Sequence, residues 1–215
     1  MKILSINVGL PKTVLIDRMP TPTAIFKEPA SGAVKATKLN LQGDQQADPS
    51  VHGGPDKAVY VYSWENILYW RQQLQREDLG PGSFGENLTV EGMLDHEVAI
   101  GDELDAGTAR FQVTQPRLPC FKLAARLGLP EFPRVFLASG RTGFYLRVLE
   151  EGVISAGDAI RRVEAKGARR VTVAEFTTLY RDRHPSNGLV ADALRLEALP
   201  ESWKDWLRGK FPLAR

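Results

Sequence analysis

Up to about residue 164 the apolar residues come in short β-branched and aromatic runs, each broken by glycine or proline within a few positions. Punctuation this frequent leaves no room for long helices, because proline removes a helix donor and glycine favours turns. Lys2–Gly9, Lys57–Tyr62, Asn87–Val90, Arg110–Thr114 and Gly143–Leu149 read as strands. Gly101-Asp102 and Gly157-Asp158 each precede a short apolar segment, as hairpin corners do. Many short strands at such spacing indicate a barrel or sandwich rather than a doubly wound sheet. Ser63 can cap a helix over Trp64–Gln75, and further helices fit Phe121–Leu127, stopped by Gly128 and Pro130, and Pro133–Ala138. After residue 170 the pattern changes. Thr172-Val173-Ala174-Glu175 is a capping box, followed by helices over Asn187–Leu196 and Glu201–Lys210 behind Pro200. The expected fold is mostly β with α: a barrel-like domain over residues 1–165 and an all-α three-helix module over 166–215. The module is too small for an independent core and is expected to pack on the barrel.

The rest of the composition removes whole classes of chemistry. Hydrophobic residues make up 43% and charged residues 25%, which excludes disorder. A single cysteine, Cys120, excludes an internal disulfide, a CxxC redox pair, a four-cysteine zinc site and an all-cysteine iron–sulfur cluster. His52, His96 and His184 lie 44 and 88 residues apart, without the short helical spacing of a zincin. Net charge is only +2, although residues 160–215 carry 12 basic against 7 acidic residues. General nucleic-acid binding prefers a strongly basic stripe, so it is not expected. No apolar run suits a membrane span or a signal peptide, and a lone thiol suits a reducing compartment; a cytoplasmic protein is expected.

Three polar, glycine-rich segments could carry chemistry. In Gly43-Asp44-Gln45-Gln46-Ala47-Asp48 and His52-Gly53-Gly54-Pro55-Asp56-Lys57, adjacent glycines can aim successive N–H groups into one anion-accepting concavity, with Lys57 adding charge. The same residues also suit an ordinary tight loop. Ser83-Phe84-Gly85-Glu86-Asn87-Leu88 could line a heterocycle pocket or simply enter a strand with Phe84 in the core. In Gln115-Pro116-Arg117-Leu118-Pro119-Cys120-Phe121-Lys122, two prolines stiffen a loop that ends at a helix start. The helix dipole, Arg117 and Lys122 there favour a thiolate at Cys120, both a soft-metal ligand and a nucleophile. An inert core cysteine is the alternative.

Taken together, Gly43-Asp44-x-Gln46-Ala47-Asp48, His52-Gly53-Gly54-x-Asp56-Lys57-Ala58-Val59, Phe84-Gly85-Glu86-Asn87-Leu88 and Gln115-Pro116-Arg117-x-Pro119-Cys120-x-Lys122-Leu123 resemble the MOSC domain family, in its YiiM-like branch with a three-helix tail. The resemblance implies a molybdenum–molybdopterin cofactor with Cys120 as the protein ligand of the metal. It also implies reduction of N-hydroxylated purines and amidoximes to amines or amidines, a detoxifying activity. One cysteine leaves no iron–sulfur domain, so a separate electron-donor protein is expected. Lys57, Arg117, Gly53 and Gly54 become candidates for the cofactor phosphate, Asn87 and Gln115 for the pterin edge, and His52 or Asp56 for relaying protons. Two other readings stay open: a sulfur carrier with a persulfide on Cys120, and a non-catalytic pterin- or nucleotide-binding barrel. A homodimer is compatible with all three.

Overall fold

A computed structural model describes residues 1–48, 53–167 and 169–211. His52, one of the two expected proton relays, lies outside these described residues.

Strands β1 (Lys2–Val8), β2 (Lys12–Ile16), β3 (Met19–Thr23), β4 (Glu28–Pro29) and β5 (Val34–Ala36) come first. A 3-10 turn over Pro55–Lys57 leads to β6 (Val59–Ser63), helix α1 (Trp64–Leu74) and β7 (Leu88–Glu91). The hairpin β8 (Glu103–Ala106) and β9 (Ala109–Pro116) precedes α2 (Phe121–Leu127) and α3 (Phe132–Ser139). Strands β10 (Phe144–Glu150), β11 (Gly152–Ile154) and β12 (Ile160–Val163) complete the β part, and α4 (Val173–Arg181), α5 (Asn187–Leu194) and α6 (Glu201–Lys210) follow.

The main sheet has eight strands in the order β12-β8-β9-β10-β6-β7-β1-β4. Its parallel pair is β6–β7, which needs a crossover, and α1 supplies it. Ser63 caps α1 by accepting from Asn66 N at 3.2 Å, as its position in the sequence suggests. The sheet curls until its ends meet: Ile3 N donates to Asp158 O at 2.9 Å and Ile160 N to Met1 O at 3.0 Å. One bridge, Lys2 to Ala159, joins the edges, so the sheet is barrel-like without being closed by a continuous ladder.

Strand β6 shows how the core is divided. Every residue in it is buried, with Val59 and Val61 in the interior cluster that includes Ile3, Val90 and Phe111. Tyr60 and Tyr62 alternate to the other face, where Trp70, Phe84, Phe132 and Phe136 pack under α1 and α3. The Tyr62 hydroxyl donates to Arg141 O at 2.9 Å and accepts from Trp70 Nε1 at 2.8 Å, so its burial leaves no polar atom unpaired.

Gly101-Asp102 and Gly157-Asp158 both close turns, Asp102 N donating to Ala99 O and Asp158 N to Ser155 O at 3.1 Å, but neither turn joins two strands paired with each other. Gly107-Thr108 turns β8 into β9, whereas Asp102 is fully buried and accepts from Ala99 N, Ala165 N and Arg170 Nη2 at 2.8–3.0 Å. Through Arg170 that carboxylate anchors the segment entering α4. The capping box at α4 is complete: Glu175 N donates to Thr172 Oγ1 at 3.1 Å and Thr172 N to Glu175 Oε2 at 2.9 Å. Helices α4–α6 close over a cluster of their own containing Phe176, Leu179, Val190 and Leu207, with Ile100 contributed by the β part.

Candidate functional site

Strand β9 ends at Pro116, and four residues later α2 begins with Cys120 as its N-cap. The Cys120 backbone is extended and its side chain makes no cap hydrogen bond, which leaves a half-buried, unpaired thiol. Gly143 builds the opposite side of this loop. Its φ is +69°, and a Cβ there would lie 2.3 Å from Val61 O, so only glycine lets β10 approach β6 this closely. The Gly143 carbonyl accepts from Arg117 N at 3.0 Å, which points the Arg117 side chain inward.

Arg117 is 5% exposed, and its Nη1 is buried without a hydrogen-bond partner. Its guanidinium carbon lies 5.4 Å from the Tyr60 ring centroid and 5.7 Å from that of Phe136. Burial pushes the Tyr60 hydroxyl well above the phenol range, opposed by the Arg117 charge, so the aromatic cage stays neutral. A buried cation with an unused donor is costly unless something anionic meets it.

Arg117 and Cys120 line one tight cavity of about 90 Å³ with Lys27, Asp44, Lys57 and Asn87. Asp44, Gln45, Gln46, Ala47 and Asp48 form part of the same wall, so the first glycine-rich segment does border Cys120. A wider groove of about 510 Å³ adjoins it, sharing Lys57, Cys120 and Tyr145 and adding Gln115. Lys57 has its ammonium pKa lowered by burial, partly offset by Asp56. Lys27 is also lowered by burial, with Asp44 and Glu86 opposing, and it forms a buried ion pair with Asp44. No sequence motif marks Lys27 or Tyr145; only the fold brings them to Cys120.

Several expected roles change. Asp56 is turned to Arg147 instead: its Oδ1 accepts from Arg147 Nε at 2.9 Å and Nη2 at 2.6 Å, and it lines neither space. Asn87 borders the cavity, but Nδ2 is spent on Asn7 O and Asp44 Oδ2 while Oδ1 accepts from Tyr60 N. Gln115 is similarly engaged, donating to Asp56 O and accepting from Trp203 Nε1. Both Asn87 amide hydrogens are thus committed, whereas Gln115 Nε2 spends one of its two on Asp56 O. Gly53 and Gly54 do not line the cavity. Gly54 has φ +92° and ψ 169°, a conformation essentially reserved for glycine, yet a Cβ there would meet nothing within 4 Å. Its conformation, rather than a close protein neighbour, is what requires glycine in the turn that leads to Lys57.

The segment from Asp48 to Arg161 matches the family model of the MOSC domain. The chain belongs to the MOSC domain family. YflK of Bacillus subtilis is 41% identical over 204 residues, covering 94% of this chain and 90% of YflK. The crystal structure of YiiM from Geobacillus stearothermophilus superposes with a TM-score of 0.81 at 34% identity, covering 97% of this chain and 98% of that one. A protein of Gibberella moniliformis named reductase is 34% identical over 177 residues, which span 81% of this chain but 31% of that longer protein. The MOSC domain here is thus of the YiiM-like kind expected from its motifs, with the helical module included in the structural match. Among the described residues, no group of three or more His, Cys, Asp or Glu could hold a metal ion, and no helix is long and apolar enough to cross a membrane.

Proposed function

We propose that the protein is a molybdenum-cofactor-dependent reductase of N-hydroxylated compounds, including N-hydroxylated purines, supplied with electrons by a separate protein. The observation that carries this reading is the buried Arg117 Nη1 without a partner, in the cavity that holds the only thiol of the chain. A cofactor bearing a terminal phosphate and a thiolate-binding metal fits that donor set. Arg117 offers a charge-assisted bond to the anion, Lys57 and Lys122 add positive charge at the rim, and Cys120 supplies the sulfur ligand. Lys27 contributes less net charge because Asp44 neutralises it; the pair orders the wall instead. Held by Cys120 and Arg117, the cofactor would supply the two electrons of the reduction.

The overall change takes R–NHOH, two electrons and two protons to R–NH2 and water; the N–O bond breaks and nitrogen is reduced. The chain must hold a proton near the departing oxygen. With Asp56 turned to Arg147, Lys57 is the described group placed for this, since it borders both the cavity and the groove beside Cys120. Its lowered pKa makes Nζ a better donor than a surface lysine. Tyr60, Tyr145 and Phe136 restrict water around Arg117, which strengthens its hold on an anion.

Expression in a molybdenum-replete host, followed by metal and pterin assay, tests the reading. Near-stoichiometric molybdenum, turnover of 6-hydroxylaminopurine with a chemical electron donor, and loss of both in a folded Cys120→Ala protein are expected. A Cys120→Ala protein with wild-type metal content and turnover would overturn it. Thiocyanate released by cyanide after incubation with a cysteine desulfurase would favour the sulfur carrier instead.

A further inference from the structure

The groove beside Cys120 has a wall of a different character from the cavity. Tyr180 from α4 and Trp203 and Trp206 from α6 line it together with Lys57, Cys120 and Tyr145. All three rings are half-buried, whereas the aliphatic members of the helical module's core, such as Leu179 and Leu207, are fully buried. Tyr180 and Trp206 stack with centroids 5.5 Å apart and planes 26° apart, and Trp203 meets Trp206 edge-on at 5.3 Å. The rings are held in place. Trp203 Nε1 donates to Gln115 Oε1 at 2.5 Å, tying α6 to the strand that leads to Cys120. Lys210 Nζ lies 4.6 Å from the Trp206 centroid and donates to Tyr180 O at 3.0 Å.

A fixed, partly solvated aromatic surface loses little entropy when a flat ring covers it, and it gains both apolar burial and stacking. Stacking tolerates any planar heterocycle because each has a π-face. From the aromatic surface that Trp203, Trp206 and Tyr180 present to the groove, we infer that the helical module is the stacking platform for a heteroaromatic substrate. It thereby separates planar N-hydroxylated heterocycles from aliphatic ones. The inference rests on the reductase reading of the Cys120 cavity and assigns specificity to residues outside that cavity.

Trp206→Leu keeps an apolar side chain and removes the π-face, and Trp206→Phe keeps a ring. In the cofactor-loaded protein, KM for 6-hydroxylaminopurine should rise on the order of 10- to 100-fold in Trp206→Leu and return most of the way in Trp206→Phe. The kcat/KM for acetamidoxime should stay within about twofold. Equal losses on both substrates, or an unmoved purine KM, would overturn the platform. Calorimetric titration with adenine separates this from failure of the reductase reading, because it needs no turnover. Adenine binding by wild type that is lost in Trp206→Leu supports the platform even if neither substrate is reduced. Absent binding in wild type, or equal binding in both proteins, overturns it.

Discussion

Arg147 Nη2 donates to Asp56 Oδ1 across 2.6 Å, with Nε adding a second bond at 2.9 Å, and the same guanidinium reaches Ala198 O at 3.1 Å. The pair therefore clamps the turn before Lys57 to strand β10 and to the segment entering α6. Both partners are about one-third exposed or less, so solvent screens part of the attraction. Asp56→Asn should cost about 1 kcal/mol of stability and leave the pH profile of turnover unchanged. Denaturant titration beside a kcat–pH series checks both; a displaced pH profile would return Asp56 to the proton path.

Arg117→Met should separate folding from cofactor retention. The variant removes a buried guanidinium whose Nη1 lacks a partner, so the cofactor-free protein should keep its thermal midpoint or gain slightly. A charge-assisted bond to an anion is worth ~1.5–3 kcal/mol, so retained molybdenum and pterin should fall roughly 10- to 100-fold. Equal loss of stability and retention, measured by calorimetry and metal analysis, would make Arg117 a packing residue.

Lys57→Arg preserves positive charge but abolishes titration in the working range. Because burial lowers the Lys57 pKa, the wild-type rate should decline as pH rises through that lowered value and the ammonium loses its proton. The Arg variant should keep its cofactor, lose on the order of 100-fold in kcat, and show no such alkaline decline. An alkaline limb that persists in the variant would assign the proton to another group.

Glu86 gives stability a distinct pH signature. It is fully buried, with Gly82 N, Phe84 N and Thr89 Oγ1 donating to it at 2.7–3.0 Å, and burial raises its pKa from 4.5 to about 6. The native state then binds a proton more tightly than the unfolded chain, so this contribution is fully present below about pH 4.5 and is lost as pH rises through about 6. The shift corresponds to ~2 kcal/mol. Glu86→Gln lacks the ionisation, so the stability difference between wild type and variant should move by about that much between pH 4.5 and pH 7. A difference that stays flat across that range would show the carboxylate already ionised in its buried site.

What the sequence determines by itself is local. Ser63, the Thr172–Glu175 box, Gly128 and the bounds Phe121–Leu127 and Glu201–Lys210 all appear where their spacing puts them. Caps and helix stops depend on partners within about four residues. The ribbon β2–β3 escapes that reading because Pro20 and Pro22 mark β3 as non-strand; in a two-stranded ribbon their missing donors fall on the unpaired edge. The fate of a polar side chain is decided at long range. Asp56 meets a partner 91 residues away and Gln115 one 88 residues away, which ties two expected site residues to distant parts of the chain. Lys27, Tyr145, Trp203 and Trp206 reach the surroundings of Cys120 by the same route. Motifs bring polar residues to one end of the sheet, but which of them keep a free donor depends on competition among buried groups for hydrogen bonds. Only the folded chain settles that competition.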